Sequence, residues 1–168
     1  MPGCLYDSPL GAMLIVAEAE GLTGVWFVGQ KYAPETLPPL CEWERHLILA
    51  ETVRWLDIYF KGEIPGFLPP ILWNGTPFRK YVWKKLLEIP YGETVTYGQL
   101  AKEIAGELGM EKISAQAVGG AVGHNPISLI VPCHRVVGAD GSLTGYAGGT
   151  ERKAWLLDRE GASLTGKK

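Results

Sequence analysis

The sequence is poor in the features that mark specialised chain types. Only three of its 168 residues are cysteine, Cys4, Cys41 and Cys133, an odd and widely spaced set with no C-x-x-C pair. This argues against a disulfide framework and a cysteine-rich zinc site, and fits a reducing compartment. No apolar run approaches the roughly 18 residues that a membrane-spanning helix needs, so no span is expected. Met1-Pro2-Gly3-Cys4-Leu5-Tyr6-Asp7 lacks the basic and apolar regions of a secretory signal, and no lipidation motif is present. The expected location is the cytoplasm. A large basic excess is also missing: 16 Lys and Arg against 18 Asp and Glu leave a net charge of −2, which disfavours strong non-specific coating of nucleic acid.

What is present is the composition of a compact globular protein, 46% hydrophobic and 20% charged. At this length folding buries about 70% of the extended-chain surface, enough for a real core. The charge is unevenly placed. Residues 1–71 carry 4 Lys and Arg against 9 Asp and Glu, whereas residues 72–168 carry 12 against 9. Phosphate contacts need only a local positive surface, so the second part can meet nucleic acid despite the acidic total.

The apolar runs Ala12–Ala19 and Leu22–Val28 flank Glu20-Gly21 and predict two strands joined in a hairpin. From about Leu40 to Phe60 the spacing turns helical, with Leu49, Val53, Leu56 and Phe60 on one face and Gly62 as a stop. Ile64-Pro65-Gly66-Phe67-Leu68-Pro69-Pro70 is too rich in Pro and Gly for either element and places a boundary, giving domains 1–70 and 71–168. Thr76-Pro77 opens a further helix with Phe78, Val82, Leu86 and Ile89. Thr96-Tyr97-Gly98-Gln99 has the form of a capping box, and its helix is expected to break at Gly106. Ser114 can cap a third helix that runs to Gly123-His124-Asn125-Pro126. The last two read as helix, turn, helix. A final helix is expected over Glu151–Asp158, with Glu160 either solvated or functional.

Gly119 and Gly120 stand side by side inside the predicted third helix, where each costs about 1 kcal/mol relative to alanine. Either close packing in the core or a helix face that comes very near a nucleic-acid backbone would require them. A smooth Ala/Gly face suits a narrow minor groove.

Beyond Ile127-Ser128-Leu129-Ile130-Val131 lies Pro132-Cys133-His134-Arg135-Val136. A cysteine beside an apolar run is more often inert core than not, but His134 and Arg135 favour the thiolate, which is the nucleophile. In an extended segment Cys133 and His134 would point to opposite faces, so cooperation needs a turn or a bridging water. Gly145-Tyr146-Ala147-Gly148-Gly149 puts an aromatic ring on a glycine-rich loop that can hold a flat base.

These residues are recognisable. Pro132-Cys133-His134-Arg135-Val136 resembles the active-site signature of the O6-alkylguanine-DNA alkyltransferases, also called methylated-DNA–protein-cysteine methyltransferases. The resemblance runs through Thr76-Pro77-Phe78, Ile89-Pro90-Tyr91-Gly92, Tyr97-Gly98-Gln99-Leu100-Ala101, Ala117-Val118-Gly119, Asn125-Pro126, Gly145-Tyr146-Ala147-Gly148-Gly149, Leu156-Leu157 and Glu160-Gly161. It covers essentially the whole second domain, whereas the first matches only in outline. It implies an α/β N-terminal domain, ribonuclease H-like with a small antiparallel sheet and a helix, followed by a mainly helical domain whose helix-turn-helix binds the minor groove.

It further implies a partner, double-stranded DNA containing O6-alkylguanine, whose damaged nucleotide is flipped into a pocket. Cys133 would take the alkyl group irreversibly, with no cofactor. His134 would deprotonate it through water, Glu160 would orient His134, Asn125 would be a hinge, and Tyr97 would stabilise the departing base. Tyr146, the backbone of Ala147 and Gly148, and the carbonyl of Val136 would line the pocket, with Arg135 shaping its loop. Ser114, Ala115, Gln116, Ala117, Gly119 and Gly120 would meet DNA. A monomer, able to bind DNA cooperatively, is expected.

Two departures stand out. Gln116 occupies the place of the family's usual arginine, which predicts weaker DNA affinity, because glutamine lacks a planar cation. The connection Gly106–Ile113 is longer than usual. Some members of the family hold zinc in the first domain; no ligand spacing supports that here, so no metal is expected. Cys4 and Cys41 read as structural and His46 as a helix-surface residue. The competing functions are a non-catalytic protein that flags alkylated DNA, a transcription regulator with the same DNA-binding motif, and a cysteine hydrolase that turns over.

Overall fold

The computed structural model describes residues 2–143 and 145–162; Thr144, in the expected glycine-rich loop, lies outside the described residues. The chain divides into two compact units, one of residues 1–74 with 126–130 and one of residues 75–125 with 131–168. The division falls four residues beyond the position expected from the proline-rich stretch. The assignment of residues 126–130 to the first unit has no counterpart in the sequence reading.

In the first unit, β1 (Gly3–Ser8), β2 (Gly11–Glu18) and β3 (Gly21–Phe27) form an antiparallel sheet in that order. The hairpin of β2 and β3 matches the predicted one, with a bulge between Val16 and Ala17. β1 was not predicted. It alternates only weakly, and is fixed by pairing with β2 from Gly3 opposite Val16 to Ser8 opposite Gly11. The predicted helix starts later than expected. Residues Trp43–Arg45 make a single 3-10 turn, and α1 (Leu47–Phe60) buries Leu49, Val53, Leu56 and Tyr59. Tyr6 on β1 donates to Asp57 on α1 at 2.6 Å. Residues 126–128 extend the sheet beside β3: Val25 donates to the Pro126 carbonyl at 2.8 Å, and Ser128 to the Val25 carbonyl at 2.9 Å. Cys4 is buried as expected of a structural residue, but Cys41 is exposed.

In the second unit, α2 (Pro77–Leu86) begins at Thr76, whose hydroxyl accepts from Arg79. β4 (Val95–Thr96) leads straight into α3 (Tyr97–Glu107), where Thr96 and Gln99 complete the predicted capping box. Gly106 does not end α3. The stop is Gly109, at φ +68°. There the amides of Met110 and Gly109 return to the carbonyls of Ala105 and Gly106, satisfying acceptors that the helix end leaves over. α4 (Ala115–Gly123) is capped by Ser114, which accepts from Ala117 at 3.0 Å. Trp83 of α2 donates its indole N–H to the Ala121 carbonyl at 2.7 Å, holding α4 in place. Lys85 of α2, buried, pairs with Glu107 of α3 at 2.7 Å. A 3-10 turn over Cys133–Arg135 precedes β5 (Val136–Val137), which pairs in parallel with β4. α5 (Thr150–Arg159) buries Lys153, Leu156 and Leu157. Among the described residues no helix is long and apolar enough to cross a membrane.

Candidate active site

Two backbone features assemble the site. The pairing of Thr96 with Val137 sets Tyr97, the first residue of α3, beside the Cys133 segment. The 3-10 turn supplies the change of direction that lets Cys133 and His134 share one interior, where an extended chain would have separated them.

Glu160, which a chain-end carboxylate's usual exposure would leave in water, is buried and receives three side-chain hydrogen bonds. His134 Nε2 donates to Oε2 at 2.7 Å, Arg135 Nε to Oε1 at 2.8 Å, and Arg135 Nη2 to Oε2 at 3.2 Å. Burial alone would raise its pKa. The bond from His134 and the Arg135 guanidinium override that and bring it down to about 2. An ionised Glu160 can only accept, so His134 carries its proton on Nε2. Burial lowers the His134 pKa, outweighing Glu160, and keeps the ring neutral. Its Nδ1 is buried without a protein partner among the described residues. A nitrogen in that state can accept a proton.

Cys133 is 5% exposed. Burial pushes its thiol pKa up; a hydrogen bond from the Asn125 side chain and the Lys153 ammonium pull it down. Asn125 Nδ2 also donates to the Val131 carbonyl at 2.9 Å, closing the chain back on itself just ahead of Cys133. Lys153 is buried on α5, donates to the Val136 carbonyl at 2.5 Å, and lies 5.8 Å from the centre of the Tyr97 ring. Burial brings its pKa down to about 8, with Cys133 acting in the opposite sense. Burial and then Cys133 raise Tyr97 to about 12, so its hydroxyl stays protonated. Tyr146 meets the His134 ring edge-on at 6.5 Å, and its buried hydroxyl has no protein partner among the described residues.

Gly145, at φ +86°, makes room for Tyr97, since a Cβ there would lie 2.6 Å from the hydroxyl oxygen. Ala147 and Gly148 follow on the turn before α5. Arg135, expected to shape the loop of the pocket, spends its guanidinium on Glu160 and on the Ile89 carbonyl at 2.7 Å.

On α4, Ala115, Gln116 and Ala117 are exposed, and Ser114 uses its hydroxyl as the cap. Gly120 is exposed, and a Cβ there would meet nothing within 4 Å among the described residues; one at Gly119 would touch the Tyr97 ring at an ordinary 3.7 Å. Close packing within the protein therefore does not explain the glycine pair. Lys102 and Lys112 help line a cleft of about 400 Å³ formed by α3, the long connection and Ala115.

Sequence reasoning missed Lys153. The available signal was a lysine on the α5 stripe that also holds Leu156, Leu157 and Glu160. Among the described residues no group of three or more His, Cys, Asp or Glu could hold a metal ion.

A buried cysteine with a carboxylate-oriented neutral histidine defines a protein of nucleophilic cysteine chemistry. Residues 77–162 match the family described as 6-O-methylguanine DNA methyltransferase, DNA binding domain, and residues 4–67 its ribonuclease-like domain. A methylated-DNA–protein-cysteine methyltransferase of Methanosarcina acetivorans is 46% identical over 94% of this chain and 97% of its own. One from Mycobacterium leprae is 44% identical over 92% and 88%. The structure of Mycobacterium tuberculosis OGT in complex with DNA superposes with a TM-score of 0.81 at 40% identity, covering 96% of this chain and 93% of that one. The chain belongs to the methylated-DNA–protein-cysteine methyltransferase family.

Proposed function

We propose that the protein repairs DNA by direct reversal, moving a methyl or other alkyl group from O6 of guanine to Cys133. The observation that carries this is the buried Glu160–His134 pair, whose tautomer leaves Nδ1 open, next in the chain to a buried thiol that receives a hydrogen bond from Asn125 and feels the charge of Lys153. His134 takes the thiol proton through a bridging water, and Sγ attacks the alkyl carbon. The carbon–O6 bond breaks, its electron pair passes to the purine, and Tyr97 donates a hydrogen bond to the base as charge develops. The product thioether is not hydrolysed, so each protein acts once.

Tyr146 lines the base pocket, the backbone of Ala147 and Gly148 meets O6, and carbonyls of Cys133 and Val136 read the exocyclic amine. The Val136 carbonyl can serve both Lys153 and a base, because it has two lone pairs. Residues 71–168 form the DNA-binding and transfer domain, in which α3 and α4 are a helix-turn-helix that lays Ser114–Ala117, Gly119 and Gly120 against the minor groove, with the nucleotide flipped inward. The ribonuclease H-like unit completes a cytoplasmic monomer that needs no cofactor.

The test is intact mass after incubation with duplex DNA carrying one O6-methylguanine. A stoichiometric gain of about 14 Da, lost in Cys133→Ala, is expected of a covalent transfer. Tight, lesion-selective binding with no gain would make the protein one that flags damage instead of repairing it.

A further inference from the structure

We propose that Cys4 and Cys41 are the two halves of a reversible disulfide in the first unit. Gly3 and Leu40 form a parallel bridge, with Gly3 donating to the Pro39 carbonyl at 3.1 Å and Cys41 donating to the Gly3 carbonyl at 2.8 Å. Partner residues of a parallel pair face the same side, and Cys4 and Cys41 each follow the bridged residue by one position. Adjacent strands place such partners about 5 Å apart, inside the roughly 4.4–6.8 Å that a disulfide spans between Cα atoms. Cys41 lies close enough to act on Cys4: burial, then Cys41, then Glu44 push the Cys4 thiol up to about 11.

The pair is asymmetric in a useful way. Cys41 is exposed, whereas Cys4 is 3% exposed. A hydroperoxide reaches Cys41 first; the thiolate takes one oxygen atom to become a sulfenic acid and releases water or an alcohol. The Cys4 thiol then attacks that sulfur, the S–S bond forms, and the hydroxyl leaves as water with the Cys4 proton. Two thiols are oxidised and one peroxide is reduced. In a reducing cytoplasm the bond forms under peroxide and is undone by thiols. It ties β1 to the segment entering α1 and closes a long loop, which restricts the unfolded chain. Cys133 takes no part.

The experiment treats the full-length protein with one equivalent of hydrogen peroxide and blocks the remaining thiols with an alkylating reagent. A mass about 2 Da below that of the thiol form before blocking, reversed by dithiothreitol, is expected from loss of two hydrogens. Tryptic mapping without reductant should join the peptide containing Cys4, ending at Lys31, to the one containing Cys41, ending at Arg45. The melting temperature should rise by roughly 10 °C. Cys41→Ser, at an exposed position, should abolish all three effects and leave alkyl transfer unchanged. Over-oxidation of Cys41 with Cys4 still open to alkylation would overturn the proposal. So would a disulfide between two chains, or one that includes Cys133.

Discussion

Replacing Gly120 with alanine separates the demands of the fold from those of DNA. Gly120 is the sixth of nine residues in α4, and among the described residues nothing lies within 4 Å of an added Cβ. In the free protein the substitution meets no clash and gains helix propensity, about 1 kcal/mol. For a chain of this size that raises the melting temperature by roughly 2–4 °C. On DNA the same methyl must fit between the helix and a narrow groove, where overpacking costs about 1–3 kcal/mol, or on the order of 10- to 100-fold in affinity. Thermal unfolding of the free protein and anisotropy titration with a duplex, under one salt condition, read the two effects separately. The expected result is a more stable protein that binds DNA more weakly and repairs more slowly. Higher stability with unchanged affinity would refute the placement of this face against DNA. Lower stability would show that the glycine serves the fold.

Lys153→Met removes the cation that lowers the Cys133 pKa, so the acid limb of the single-turnover pH–rate profile should move up, with roughly tenfold slower repair near pH 7; an unshifted limb would assign Lys153 to packing alone. Glu160, brought from an ordinary 4.5 to about 2, contributes stability that is complete above the unfolded value and is lost as pH falls towards 2. This is worth about 3 kcal/mol, and Glu160→Gln should remove that slope between pH 4.5 and 2 in denaturant titrations. Parallel acid losses in both proteins would contradict the assignment. Gln116→Arg should tighten DNA binding and speed repair, and no gain in rate would sink the expectation that a planar cation is wanted at this exposed position.

The elements that could be read from sequence are those whose signals are local. Thr76, Thr96 and Ser114 each cap the helix they were expected to cap, because a short side-chain oxygen satisfies an amide three residues on. β1 was illegible because its mixed sequence becomes a strand only through partners on β2. Gly106 does not end α3 because the roughly 1 kcal/mol that a helical glycine costs relative to alanine is offset by the rest of a well-capped helix, whereas Gly109 ends it through its positive φ. In the site, Cys133, His134 and Glu160 were visible as reactive residue types in a recognisable setting. Lys153 was not, since burial of an ammonium is decided by what surrounds it. Nor was the pairing of β4 with β5, two residues long and 41 apart in sequence, which positions Tyr97.

The place of Glu160 along the chain has a consequence for synthesis. The ribosome makes Cys133 and His134 before it makes the carboxylate, which follows His134 by 26 residues. Until α5 has emerged and docked, His134 has nothing to fix its tautomer, Arg135 lacks its anion, and Lys153 is not beside the thiol. A growing chain therefore carries Cys133 without the carboxylate, the fixed imidazole tautomer and the ammonium that surround it in the folded protein, and the site is complete only once the last helix has been made.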